Sequence, residues 1–199
     1  MAKNDSSKTI LIIVGVILGI MIIGGIVVGI SCYSLYKVGT KTSPTPTATN
    51  ETKNWLSYKN VRYGFSLKYP PTFTAQESIN GDGTTLTSSS PAITVRVYGT
   101  VNSQNQTLDD YLNTSRADLF KGVESAEEAA ANDTTLAGIS AQERRWQYLN
   151  SLDGTQTVMD QVTALKGDSF YTVQMVIAYS DYSEYSPMFD EILKSYKFE

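Results

Sequence analysis

Ser169-Phe-Tyr-Thr-Val-Gln-Met-Val-Ile-Ala-Tyr179 is the stretch on which the fold class turns. Tyr171, Val173, Met175, Ile177 and Tyr179 alternate onto one face of a strand, and Phe170, Val176 and Ala178 fall on the other. Both faces are largely apolar, which places the strand in the interior of a sheet covered on both sides. The residues that follow supply one cover. Tyr185, Met188, Phe189, Ile192, Leu193 and Tyr196 recur at helical spacing as a continuous stripe, with Asp190, Glu191 and Lys194 turned away. Ser186-Pro187 offers an N-cap with proline at the first helical position; a start near Asp181 is the alternative.

Working outward, two more strands precede this one. Ile139 to Leu149 and Thr155 to Leu165 are separated by Asp153-Gly154, and Gly167-Asp168 turns the chain into Ser169. Upstream, Thr107 is placed to cap a helix, with Asp109 and Asp110 in its first turn where the helix dipole favours anions. Leu108, Tyr111, Leu112, Ser115 and Leu119 share one face of that helix, which ends near Lys121-Gly122. Val123 to Ala131 carries helix propensity without a coherent apolar stripe. Ala92 to Tyr98 alternates as a strand after the turn residues Asn80-Gly-Asp-Gly83. Trp55 to Asn60 and Tyr63 to Tyr69 read as a strand pair stopped by Pro70-Pro71. The pattern predicts an α+β fold: a mainly antiparallel sheet with helices packed on it.

Composition narrows the chemistry. The 199 residues contain no histidine and one cysteine, Cys32. A Ser-His-Asp triad, a Cys-His dyad and an internal disulfide are thereby excluded, and so is a zinc site with imidazole or paired thiolate ligands. From Trp55 onward eleven basic residues against eighteen acidic ones leave a net charge of −7. A body of that sign argues against nucleic-acid binding, which needs a concentrated cationic surface.

The N-terminal part is of another kind. Thr9 to Tyr36 has no charged residue, and Ile10 to Ile30 is 21 residues of aliphatics, glycine and one methionine. At about 1.5 Å per residue such a helix spans the roughly 30 Å of a bilayer's hydrocarbon core. Its length exceeds a signal-peptide core, although Gly29-Ile-Ser31 before Cys32 leaves cleavage or modification of that cysteine as an alternative. Thr40-Lys-Thr-Ser-Pro-Thr-Pro-Thr-Ala-Thr49 is an extended stalk. Asn50, Asn105, Asn113 and Asn132 each begin an Asn-x-Ser/Thr triplet, the acceptor pattern for glycosylation on an exported surface. The expected organisation is a short cytoplasmic N-terminus (1–8), a transmembrane anchor in membrane lipid (9–36), a Thr/Pro-rich linker (37–54) and an exported domain (55–199) at the outer side of the cell membrane. Gly15-x-x-x-Gly19 and Gly25-x-x-x-Gly29 match the small-residue pattern of weak helix–helix self-association, against the plainer reading that glycine is common in membrane helices.

Three landmarks of the exported part carry a family resemblance. Tyr58-Lys-Asn-Val-Arg-Tyr-Gly-Phe-Ser-Leu-Lys-Tyr-Pro70 is similar to the opening hairpin of the PsbP-like family. Leu136-Ala-Gly-Ile-Ser-Ala141 is similar to its Gly-x-x-Ala approach to a central strand. The third landmark is Ser169-Phe-Tyr-Thr-Val followed by the closing helix and Ile192-Leu-Lys-Ser-Tyr-Lys-Phe198, which resembles the family's terminal Ser-Phe segment with Tyr196 in place of Phe. With the anchor and stalk, the order looks most like membrane-anchored PsbP-related proteins of prokaryotes, including methanogenic archaea. The resemblance implies an antiparallel sheet sandwiched by helices, and a domain that acts by binding partners.

No catalytic residue, metal ligand or cofactor is assigned from the sequence. Asn80-Gly-Asp-Gly83 lacks the alternating acids and distal Glu of a calcium loop and reads as a hairpin turn. Asp109-Asp110 and Glu127-Glu128 are neighbours along the chain and read as solvated charge rather than a general acid/base pair. Two groups are candidates for contact with a protein or glycan partner. Tyr179, Tyr182 and Tyr185 are interleaved with acids, and Arg144, Trp146 and Tyr148 share one face of a strand, a face that a helix would otherwise cover. The expected function is a non-catalytic binding or assembly module; a carboxylate-based envelope hydrolase and a purely structural envelope protein are the alternatives.

Overall fold

The strand quoted first, Ser169–Ala178, is the fourth of seven in an all-antiparallel sheet. The computed structural model describes residues 51–121, 123 and 125–199. The expected anchor (9–36), Cys32, both Gly-x-x-x-Gly matches, the linker up to Asn50 and the Asn50 triplet lie outside the described residues. Among the described residues no helix is long and apolar enough to cross a membrane.

After a 3-10 turn at Glu51–Asn54, β1 (Leu56–Asn60) and β2 (Phe65–Tyr69) pair antiparallel, and the last strand β10 (Lys197–Phe198) returns to pair with β2. The large sheet comprises β3 (Thr74–Glu77), β4 (Gly83–Ser89), β5 (Ala92–Val101), β6 (Glu127–Leu136), β7 (Ile139–Leu149), β8 (Gln156–Lys166) and β9 (Ser169–Ala178). Its order is β3-β4-β5-β9-β8-β7-β6, so β9 inserts between β5 and β8. The crossover from β5 runs through α1 (Leu108–Leu119), and α2 (Tyr179–Ser195) follows β9 without a break.

Side chains alternate along each strand, so the sheet has two distinct faces. One presents Val95, Val97, Val158, Val162, Val173, Met175 and Ile177, all at most 4% exposed, to Phe189 and Ile192 of α2 and to Phe65 of the small sheet. Phe65 stacks on Tyr196 at 5.4 Å and meets Tyr171 edge-on. Tyr111 of α1 covers the opposite face, stacked on Phe170 at 3.9 Å. The two helices thus sandwich the sheet.

Thr107 caps α1 as its sequence predicts: its hydroxyl accepts from the Asp110 N–H at 3.2 Å and donates to the Asp110 carboxylate at 2.7 Å. Two elements differ from the sequence reading. The helix-prone segment up to Ala131 is largely strand, because Glu127–Leu136 pairs along β7, with a bulge between Glu128 and Ala130. Partner pairing overrides the helix preference of Ala and Glu when no apolar stripe holds a helix to the core. The following turn uses Ala137 (φ 48°) and Gly138 (φ 79°), the two positive values that a tight two-residue hairpin demands. In addition, α2 starts at Tyr179, close to the Asp181 alternative and not at Ser186, and Pro187 lies inside it.

Candidate functional site

Two hairpin turns meet, and a buried asparagine joins them. Asn60, 1% exposed, closes the β1–β2 turn by accepting from the Tyr63 N–H at 2.8 Å. Its amide nitrogen donates to the Gly81 carbonyl in the β3–β4 turn and to the Tyr58 hydroxyl, each at 3.1 Å. Arg62 donates to the Asn80 carbonyl of the same neighbouring turn. Asn80 in turn donates to Asp82, whose backbone carbonyl accepts from the Gly99 N–H at 2.9 Å. Tyr63 lies against Gly99 so closely that a Cβ there would come within 2.4 Å of its ring. The Tyr171 hydroxyl then donates to the Tyr63 carbonyl at 3.2 Å.

Each braced turn presents an aliphatic side chain to water. Val61 is 85% exposed and Ile79 fully exposed. An isolated exposed aliphatic is ordinary. Here two of them stand on adjoining turns held by side-chain and backbone bonds, so that little ordering would remain to be done if a partner docked there. Neither residue was singled out in the sequence. The signal available was an apolar residue inside turn chemistry, in Asn60-Val-Arg62 and Ser78-Ile-Asn80, with no strand periodicity around it.

The residues that the sequence proposed for partner contact are dispersed. Tyr179 is half exposed at the start of α2, and Tyr185 is partly buried against the core. Tyr182 is engaged: its hydroxyl donates to Asp160 at 2.5 Å while the Arg145 guanidinium stacks over its ring at 4.9 Å. Asp160, 3% exposed, also accepts from Arg145 Nε at 3.1 Å, and Arg145 pairs with Glu143 at 2.6 Å. Burial pushes the Asp160 carboxyl above the usual range, although Tyr182 and Arg145 pull it back, and its Oδ1 has no partner. The Tyr182 hydroxyl is likewise pushed up, first by burial and then by its bond to Asp160. This cluster fastens α2 to the sheet.

Arg144, Trp146 and Tyr148 do share a face, the one beneath α1. Trp146 is 1% exposed and packs with Tyr148 against Phe120, so its ring belongs to the interior and not to a contact surface. Arg144 is held by Asp109 at 3.4 Å and Glu128 at 3.6 Å. On β7 the cation over an aromatic ring is Arg145, one residue on and therefore on the opposite face. Asn105, Asn113 and Asn132 are all exposed. Among the described residues no three His, Cys, Asp or Glu stand together as metal ligands. An open groove of about 240 Å³ lies beside α1, lined by Ser103, Gln106, Tyr111, Thr114, Asp118 and Phe170 among others.

No family model and no curated protein sequence matches the chain. Solved structures do. The solution structure of cyanobacterial PsbP (CyanoP) from a Synechocystis species is similar with a TM-score of 0.56 at 12% identity, covering 79% of this chain and 99% of that one. The Saccharomyces cerevisiae Ran-binding protein Mog1p matches with a TM-score of 0.55 at 10% identity, over 73% and 95%. LpqN of Mycobacterium tuberculosis, involved in cell envelope biogenesis, matches with a TM-score of 0.55 at 12% identity, over 78% and 98%. The chain therefore has the PsbP-like fold.

Proposed function

We propose that this protein is a non-catalytic binding or assembly module of the PsbP-like type, held at the outer face of the cell membrane by residues 9–36 and carried on the 37–54 stalk. The observation that carries the binding role is the braced tip, where Val61 and Ile79 stand exposed on turns joined through Asn60. Proteins of the same fold include one described as Ran-binding and one involved in cell envelope biogenesis, which supports a role in association. The uncharged run from Thr9 to Tyr36 and the Thr/Pro stretch after it support the placement.

The test is recovery of partners from detergent-solubilised membranes, using the full chain, the Val61→Asp/Ile79→Asp variant and residues 1–54 alone. The full chain should retain its partners, and the double variant should lose at least about tenfold in affinity, which corresponds to about 1.4 kcal/mol. Equal recovery by residues 1–54 would assign binding to the anchor, and equal recovery by the double variant would remove the tip from the reading. Protease added to intact cells should digest residues 55–199; protection of that region would overturn the orientation.

A further inference from the structure

The two edges of the large sheet are unequal. β3 ends one side with four residues, whereas β6 ends the other with ten, and among the described residues β6 has β7 as its sole hydrogen-bonded neighbour. An edge strand leaves alternate N–H and C=O groups without partners, and proteins blunt such edges by shortness, charged side chains (lysine above all), proline, a bulge or a covering helix or loop. β6 has the bulge at its beginning, but Glu127–Leu136 contains no lysine and no proline. From Ala130 to Leu136 the register with β7 runs without interruption, which gives roughly 20 Å of regular open edge. Ala129, Ala130 and Ala131 put only methyl groups beside it, and of the ten residues Leu136 alone is buried.

Charge selects what can dock there. Glu127, Glu128 and Asp133 lie on the strand with no cation among them. The two arginines of the neighbouring strand β7 are already held: Arg144 by Asp109 and Glu128, Arg145 by Glu143 and Asp160. A second copy of the chain would bring its own acidic body, with eleven basic against eighteen acidic residues from Trp55 onward. We infer that the β6 edge, along Ala130–Thr135, accepts an extended lysine- or arginine-bearing segment of a partner protein as an added strand. Backbone hydrogen bonds would supply the affinity, and Glu127 and Asp133 the preference for positive charge. This site uses residues other than the Val61/Ile79 tip and stands or falls separately from it.

The probe is a ten-residue Thr/Val peptide with lysine at every third position, titrated into the detergent-solubilised full chain. Three companion peptides accompany it: one N-methylated at alternate residues, one with all residues N-methylated, and one with glutamate for lysine. Hydrogen exchange should slow at Ala130–Thr135 when the lysine peptide binds. At least one N-methylation pattern should weaken binding tenfold or more, as should the glutamate peptide and the Glu127→Lys/Asp133→Lys variant. The Val61→Asp/Ile79→Asp variant should bind the lysine peptide as the parent does. Absence of binding at millimolar peptide, or undiminished binding of the fully N-methylated peptide, overturns the proposal. Protection confined to the 60–64 and 78–83 turns also overturns it. Concentration-dependent protection of Ala130–Thr135 without peptide would make a second copy the occupant and overturn the basic partner.

Discussion

On β9 the side chains of Tyr171, Val173, Met175 and Ile177 face α2 and the small sheet, while Phe170, Thr172 and Gln174 face the α1 side. Both sets are at most 8% exposed. The first face is covered by shape, with aliphatic and aromatic groups filling volume. The second is covered partly by matched polar groups: Gln161 donates to Thr163 at 3.0 Å, Thr163 and Thr172 share a hydrogen bond at 3.1 Å, and Gln174 donates to Met159 sulfur at 2.7 Å. Gln161 Oε1 and Trp146 Nε1 stay buried there without a partner. The α2 face should hold most of the stability, because packed apolar area is worth more than exchanged hydrogen bonds. The two proposed contact surfaces occupy neither face; they sit on the turns and on the edge, where the sheet's interior is least involved.

The largest expected effect breaks the α2 face. Phe65, with no exposure, lies among Tyr58, Tyr171 and Tyr196, and Phe65→Ala should cost about 3–5 kcal/mol by emptying that volume. Urea unfolding of the detergent-solubilised chain would read it. A loss under about 1 kcal/mol would mean that the small sheet is not integral to the core.

A second pair of variants compares neighbouring residues on opposite faces. Val162→Thr introduces a hydroxyl among aliphatics and should cost about 1–3 kcal/mol. The triple variant Gln161→Leu/Thr163→Val/Thr172→Val replaces the polar chain together with its orphaned acceptor, and should change stability by no more than about 1 kcal/mol. A triple variant that loses more than Val162→Thr would show that the polar chain, and not the aliphatic packing, is the stronger half of the sandwich.

How much of this was legible before the structure follows from which forces are local. Alternation in Ser169–Ala178 identified a two-faced central strand, and its place as fourth of seven agrees. Thr107 capping α1 and the turns at Asp153-Gly154 and Gly167-Asp168 were equally local. Pairing is not local: Glu127–Ala131 has the composition of a helix, and only β7 beside it makes it a strand. The candidate site was the least legible part. Asn60 sits between two turns about twenty residues apart in sequence, so nothing nearby marks it as the link that sets Val61 beside the Ile79 turn. The shared face of Arg144, Trp146 and Tyr148 was legible from alternation, but that Phe120 covers Trp146 and Tyr148 was not, because that contact comes from a distant part of the chain.

Asp160 is the exception that sharpens the contrast, a carboxyl on the aliphatic face held by Arg145 and Tyr182. Its folded-state value is raised, with burial as the leading cause. The folded protein therefore keeps this proton to higher pH than the unfolded chain does. The resulting stabilisation is fully present below the ordinary aspartate value of about 4 and is lost as pH rises through the folded value. Asp160→Asn keeps a carbonyl oxygen for Arg145 and Tyr182 but cannot titrate. The stability of the parent minus that of Asp160→Asn, measured by urea unfolding from pH 4 to pH 7, should fall as pH rises. Its slope stays within the limit of about 1.4 kcal/mol per pH unit that one proton sets. A difference that grows with pH would mean that the bonds from Arg145 and Tyr182 outweigh burial. The aliphatic face would then tolerate a fully ionised carboxylate as well as the α1 side tolerates its amides.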